Sequence, residues 1–333
     1  GAVLTHGNYI WDAEAVSAYV NMTADDRFMC ILPLFHVNGQ VVTTLAPMVS
    51  GASMVLVNRF SATTFFQTVD RYKPTAFSAV PTIYAMLLNT PGTEGYDLSS
   101  LRFCICGAAP MPVQVFEAFE KKFNARILEG YGLSEGTCAS SVNPIDGKRK
   151  VGSIGLPLPG QEMKIVDMNN NDLPAGETGE IVIKGPNVMK EYFRNPEATK
   201  DAIIDGWLHT GDLGIMDAEG FFTIVGRKKE MIIRGGENIY PKEIEEVLYR
   251  HPAVAEAAVC GVPDKFYGEE VKAFVVLKEG ASATGEELVG YCMEKLAKYK
   301  CPKSVQVIGE MPKTATGKIQ KRKLVEDPRW TAE

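Results

Sequence analysis

Residues 1–150 alternate short apolar runs with longer stretches in which apolar side chains recur at helical spacing. The runs are 27–33 (RFMCILP), 53–57 (SMVLV), 76–80 (AFSAV) and 101–106 (LRFCIC), and the helical stretches are 62–72, 83–88 and 112–123. This βαβ alternation predicts a mostly parallel sheet covered by helices. The texture changes near Val151. Short alternating strands at 163–166, 179–184 and 221–225, set between Gly, Pro and Asn turns such as NNND at 169–172, predict a small β-barrel or antiparallel sheet. After Gly226 a compact α+β unit begins. It opens with a helix over 241–250 that has proline at its first position, and strands at 255–259 and 271–277 follow. A helix over 286–300 is introduced by Thr284 and Glu287 in capping-box spacing and stops before Pro302. Leu288, Cys292, Leu296 and Tyr299 form its apolar stripe, a core face rather than a cofactor box.

A chain of 333 residues that is 45% hydrophobic can bury a sizeable core and has the length of two or more folding units. Net charge is −6 and no basic block stands out, which argues against nucleic acid or an anionic membrane as partner. The longest apolar stretch, 41–57, is broken by Thr43, Thr44, Pro47, Ser50 and Gly51 and is too short to span a bilayer. The first residues carry no signal-peptide pattern. Seven cysteines are scattered along the chain. The i, i+2 pair Cys104 and Cys106 lies in an apolar run, with no second close pair to complete a metal site. Reduced thiols in a cytoplasmic enzyme are the expectation.

Four segments carry candidate chemistry: YGLSEGT at 131–137, WLHTGDLG at 207–214, GRKKEMIIRGGENIYPKEIE at 226–245 and PKTATGKIQK at 312–321. In the first, Tyr131 offers a flat ring on which a base can stack, Ser134 a hydroxyl for a phosphate oxygen, and Glu135 a hard oxygen ligand for Mg²⁺. The plainer alternative is a glycine-rich turn with a solvated glutamate. GAAPMP at 107–112 puts small residues at a strand's C-terminal end, where open α/β sheets bind ligands. In the second segment a glycine-flanked turn is expected to hold Asp212, whose carboxylate can accept both hydrogen bonds of a cis-diol, and His209 reads as structural. Gly235 and Gly236 permit close approach of a ligand to the backbone. Lys318 follows Gly317 in a Thr-rich loop, where a long cation can stabilise developing negative charge; a basic tail of Lys313, Lys318, Lys321 and Lys323 is otherwise ordinary surface charge.

In this order the four segments resemble the AMP-forming acyl-CoA synthetases of the adenylate-forming superfamily, over residues 1 to about 324. The resemblance implies an α/β fold of mostly parallel αβαβα layers plus a small β-barrel, followed by a mobile small α+β C-terminal domain. Residues 1–226 would be the C-terminal part of the large domain (1–150 α/β layers, 151–226 barrel-like) and 227–333 the lid. It places Gly107, Ala108, Ala109, Pro110, Tyr131 and Gly132 around adenine, Asp212 on the ribose hydroxyls with Arg227 beside it, and Glu135 on Mg²⁺ with Ser134 at the phosphates. Lys318 becomes catalytic and Lys229 the hinge. Gly235 and Gly236 line a coenzyme A tunnel, and His36, Val80 and Gly130 line the acyl pocket, although a lone histidine such as His36 can equally be a satisfied core residue. The implied activity is a carboxylic acid–CoA ligase that uses ATP, through acyl-AMP, on a fatty or medium-sized organic acid. An aryl acid ligase, an adenylation enzyme loading a carrier protein, and an inactive nucleotide-binding fragment are the alternatives. In that family the segment matching AVLTHGN follows a Ser/Thr/Gly-rich phosphate loop ending in Pro-Lys-Gly, of which only Gly1 is present. The resemblance therefore implies an N-terminally truncated chain that is impaired in acid activation on its own. Neither the acid nor the oligomeric state is written in the sequence.

Overall fold

The computed structural model describes residues 1–107, 111–314 and 318–326. Contacts divide the chain into two units. One comprises Gly1–Thr210 with Gly214–Ile224, the other Gly211–Leu213 with the described residues from Val225 onward.

In the first unit, α1 (His6–Tyr19) starts at Thr5, whose hydroxyl accepts the Asn8 N–H at 3.1 Å while Asn8 Oδ1 accepts the Thr5 N–H at 2.7 Å. There follow β1 (Arg27–Cys30), α2 (Val37–Gln40), a π-helical turn (Val41–Leu45), α3 (Ala46–Val49), β2 (Ser53–Leu56), α4 (Ala62–Tyr72), β3 (Ala76–Ala79) and α5 (Pro81–Leu88). Next come β4 (Phe103–Cys106), α6 (Val113–Phe123), β5 (Ile127–Tyr131), β6 (Ser141–Val142) and β7 (Leu156–Pro157). The seven strands form one sheet in the order β2-β1-β3-β4-β5-β6-β7. Strands β1 to β5 pair in parallel, and β6 and β7 are antiparallel.

Both faces of the sheet's central strands are buried, which is why β1, β3, β4 and β5 read as apolar runs, whereas the edge strand β2 is largely exposed. Phe77, Cys104, Cys106 and Ile127 pack under the aromatic rings of α4, α5 and α6, while Phe28, Ala76, Phe103, Ile105 and Leu128 pack against α1 and the π-helical segment. The π turn has a local cause. The hydroxyls of Thr43 and Thr44 both donate to the Gly39 carbonyl, at 3.0 and 2.7 Å, and compete with the regular helical hydrogen bond.

Asp26 organises the N-terminal edge of the sheet. It is 2% exposed, and its carboxylate oxygens lie 2.5 and 2.6 Å from one Arg102 nitrogen. Asp26 Oδ1 also accepts the Thr75 hydroxyl at 2.7 Å, Oδ2 accepts the Thr23 N–H at 2.9 Å, and its carbonyl accepts the Ser53 N–H at 3.0 Å. Ser53 opens β2, and Asp26, Thr75 and Arg102 immediately precede β1, β3 and β4. The Asp26 side chain thus ties together the starts of β1, β3 and β4, and its backbone carbonyl adds that of β2.

A second sheet fills the region expected to be barrel-like. It comprises β8 (Glu162–Val166), β9 (Thr178–Lys184), β10 (Ile203–Ile204), β11 (Trp207–Met216) and β12 (Phe222–Arg227), with α7 (Pro196–Ala202) before β10. Its order is β10-β11-β9-β8, with β12 on β11.

The second unit contains β13 (Ile232–Arg234), β14 (Glu237–Ile239), α8 (Pro241–Tyr249), β15 (Val254–Asp264), β16 (Gly268–Leu277), α9 (Gly285–Met293), β17 (Ser304–Val307) and α10 (Lys321–Glu326). Strands run β14-β13-β16-β15, with β17 parallel to β16. The Thr284–Glu287 capping box is present, but α9 ends at Met293, short of the expected Lys300. Ala297 adopts extended backbone (ψ 140°) before a 3₁₀ turn at Lys298–Lys300. This break brings Cys301 into the core with Cys292 and leaves Tyr299 38% exposed, so the expected stripe holds only for its first turns.

Burial pushes the Asp26 carboxyl up, but Arg102, Thr75 and the Thr23 amide overcome that and hold it below its usual 3.8. A carboxylate with a depressed folded pKa contributes stability above the unfolded value and loses it as pH falls through the folded one. Asp26→Ala is expected to destabilise the first unit by roughly 2–3 kcal/mol at pH 7, discounted for the partly exposed Arg102. In urea denaturation the gap from the unaltered protein should close below about pH 3.8; a gap that widens on acidification refutes the clamp.

Candidate active site

The C-terminal ends of β1, β3, β4 and β5 gather several of the expected residues. The Gly107 N–H donates to the Ala79 carbonyl at 3.3 Å, next to Val80. A Cβ added at Gly107 would stand 3.4 Å from the Gly130 carbonyl and 3.8 Å from Asn38 Nδ2. Val80, Gly107 and Gly130 therefore meet at one edge. His36 is half-buried at the N-cap of α2, its ring 4.8 Å from that of Phe35, so it is not a core histidine. Tyr131 is 9% exposed and packs with Ile165, Ile181 and Leu208, so most of its ring serves the core. Ala108, Ala109 and Pro110 lie outside the described residues.

The loop after Tyr131 is tightly folded. A Cβ on Gly132 would fall 1.4 Å from the Cys138 carbonyl oxygen, so only glycine fits there. Ser134–Gly136 form a 3₁₀ turn in which Ser134 is exposed and Glu135 half-buried. Glu135 Oε1 accepts the Tyr192 hydroxyl at 2.7 Å, and its backbone carbonyl accepts the Met189 N–H at 2.7 Å. Desolvation and the Glu135 carboxylate push the Tyr192 hydroxyl up to about 12, so it stays a donor. Tyr192 carried no recognisable signal in the sequence. Among the described residues no three His, Cys, Asp or Glu side chains converge as a metal cage. A single oriented carboxylate is a donor set that suits Mg²⁺, which is commonly held by one or two carboxylates plus substrate phosphates.

In the second unit, Asp212 sits within strand β11, not in the turn expected from its glycines. Gly211 takes φ +71°, a local kink that the strand absorbs with the Lys228 N–H donating to the Gly211 carbonyl at 2.8 Å. Asp212 is 3% exposed, and Arg227 Nε donates to its Oδ1 at 2.8 Å. Lys318 lies in the field of both. Partial desolvation and the Arg227 charge push its ammonium below the usual lysine range, and Asp212 opposes them. The fold thus assembles Asp212 and Arg227 from two neighbouring motifs with Lys318 from the distant tail.

The other expected residues have plainer local reasons. Gly235 and Gly236, at φ +59° and +90°, form the two-residue hairpin turn between β13 and β14, which demands positive φ at both positions. Lys229 is exposed in the turn after β12. His209 Nδ1 is 3.2 Å from Glu180 Oε2 on the neighbouring strand, both nearly buried. Lys321 is no surface charge. It is held by Glu230 at 3.0 Å and Glu245 at 2.8 Å, partners that no spacing rule would have found.

Residues 1–193 match the family described as AMP-binding enzyme, and residues 243–318 match AMP-binding enzyme C-terminal domain. The chain is 46% identical over 330 residues to a long-chain-fatty-acid–CoA ligase of Bacillus subtilis (strain 168), covering 98% of this chain and 59% of that protein. It is 43% identical to a sulfoacetate–CoA ligase of Cupriavidus necator, covering 98% of this chain and 64% of that one. The solved structure of o-succinylbenzoate coenzyme A synthetase from Bacillus subtilis in complex with ATP and magnesium superposes with a TM-score of 0.87. It is 37% identical, with 97% of this chain and 66% of that one covered. The chain spans about three-fifths of the length of the fatty-acid ligase.

Because Arg227 depresses Lys318 and also occupies Asp212, Arg227→Gln should move the Lys318 titration upward. The pH dependence of Lys318 labelling by acetic anhydride reads this directly. An unchanged midpoint would show that Arg227 does not act on the lysine.

Proposed function

Because the chain belongs to the AMP-binding enzyme family, we propose that it serves an AMP-forming carboxylic acid–CoA ligase. In this reading an acid and ATP give an acyl-adenylate and pyrophosphate, and coenzyme A then gives the thioester and AMP. A carboxylate attacked directly by a thiolate would have to expel oxide. The mixed anhydride with AMP replaces that with a good leaving group, and the thiolate can then form its bond to carbon.

What carries the reading is the cluster of Asp212, Arg227 and Lys318. A buried carboxylate fixed by a guanidinium suits a ribose diol, and Arg227, mostly exposed, can turn to the ribose and α-phosphate. The Lys318 ammonium is assigned to the charge that builds as the acid's carboxylate meets the α-phosphate. Ser134 is assigned to a phosphate oxygen, and Tyr131, Gly132 and Gly107 to adenine. Glu135, steadied by Tyr192, would hold Mg²⁺, which when bound screens the phosphate oxygens as two anions approach. His36, Val80 and Gly130 are assigned to the acyl wall; small and apolar lining fits a fatty or medium-sized organic acid. Lys229 is the assigned hinge, and Gly235 and Gly236 the pantetheine path. Seven unpaired, buried cysteines suit a cytoplasmic setting. Among the described residues no helix is long and apolar enough to cross a membrane.

Two substitutions test the assignment. Asp212→Ala should weaken AMP binding, read by titration calorimetry, by about 1.5–3 kcal/mol, the worth of a charged hydrogen bond; unchanged affinity removes Asp212 from the ribose. Lys318→Ala should slow adenylate formation, followed as pyrophosphate release, by roughly 10²–10³-fold while supplied acyl-adenylate is still converted to thioester. Equal slowing of both half-reactions would contradict the role given to Lys318.

A further inference from the structure

The loop that carries Glu135 closes on a strained turn. Thr137 has φ 67° and ψ −66°, and the Cys138 N–H donates to the Gly136 carbonyl at 2.8 Å. That is a three-residue γ-turn of the rare positive-φ kind, here centred on a β-branched residue. Such strain persists only where the surroundings over-determine it. On one side the Thr137 hydroxyl donates to the Asn187 carbonyl at 2.6 Å, and Asn187 Nδ2 donates to Gln161 Oε1 at 2.7 Å. On the other side stands Asp12 of α1, fully buried, whose Oδ2 accepts the Ala139 N–H at 3.0 Å.

Asp12 is costly. Among the described residues its Oδ1 is buried without a hydrogen-bond partner, on a helix whose Ala13 and Val16 are part of the apolar core. Burial pushes its carboxyl up to about 7, with the Ala139 and Cys138 amides opposing. The titratable neighbour it acts on is the Cys138 thiol, which burial and Asp12 both drive upward. Helix α1 already has its capping box and gains nothing from a carboxyl in its interior. The benefit lies across the contact, in the turn.

We propose that Asp12 is a positioning residue for Glu135: by holding the Ala139 amide it keeps the γ-turn closed and Glu135 seated on the Tyr192 hydroxyl. This rests on the reading of Glu135 as the Mg²⁺ ligand. Carboxylates that bind metal need outer partners to orient them, and losing such a partner typically lowers metal affinity about 10–100-fold. Asp12 would act two contacts away from the ion, through backbone rather than through a side-chain hydrogen bond.

The experiment is calorimetric titration of ATP with and without Mg²⁺ on the unaltered protein and on Asp12→Leu, Asp12→Asn and Glu135→Gln. Leucine has similar size and no acceptor. It should cut the Mg²⁺-dependent gain in ATP affinity by about tenfold or more while Mg²⁺-free affinity stays unchanged. Asparagine keeps an acceptor oxygen and should restore the gain. A leucine variant that retains the full gain, or an asparagine variant that fails to restore it, overturns the proposal. A Glu135→Gln variant that retains the gain overturns the metal assignment itself, and the proposal with it. Should the leucine variant fail to fold, amide hydrogen exchange on the unaltered protein decides. The amides of residues 137–139 should exchange only through global opening, and exchange at the rate of an ordinary surface loop refutes the clamp.

Discussion

The carboxylate of Asp26 is the contact on which the first unit's geometry depends. Parallel strands have no hairpin turns to fix their register, so something else must align them. Asp26 does so at their N-terminal ends, its carboxylate through Arg102 and Thr75 and its backbone carbonyl through the Ser53 amide. With those ends level, strands of equal length deliver Val80 and Gly107 to the same edge on the far side, where Gly130 of β5 meets Gly107. The two edges divide the labour. One is ionic, and the other is lined by small residues at the strand ends where open α/β sheets generally bind ligands.

Much of this was legible in the sequence because burial on both faces leaves an unmistakable apolar run in the central strands, and the more exposed edge strand at Ser53 is an apolar run as well. The strands near Arg27, Ser53, Ala76 and Phe103, and helix α4, stand where the pattern puts them. What escaped was set by contacts between distant residues. Helix α9 stops early, and the break lets Cys301 enter the core beside Cys292, a packing that the local stripe cannot foresee. The glycines flanking Asp212 predict a turn, yet Gly211 kinks a strand that continues through it. The candidate residues themselves were readable as motifs. Their partners Tyr192, Glu230, Glu245 and Asp12 were not, since each lies far along the chain and carries no spacing rule.

The two buried aspartates of the first unit pull in opposite directions. Asp26 is stabilised by its charge, whereas Asp12 is held neutral well past the pH at which an exposed carboxyl ionises. The folded state keeps the Asp12 proton between its usual 3.8 and about 7, where the unfolded chain has lost it. Its contribution to stability is thus full below that window and is lost as pH rises through it. A fold that retains such a residue accepts a cost at neutral pH for the sake of one turn.

The burial of every cysteine has a practical consequence. Cys30, Cys104, Cys106 and Cys138 lie in the first unit and Cys260, Cys292 and Cys301 in the second, none more than 7% exposed. A thiol-specific reagent cannot react until the surrounding core opens, so labelling becomes a clock for unfolding. Because each unit holds its own set of thiols, mass spectrometry of labelled peptides can time the opening of each independently, without any engineered probe.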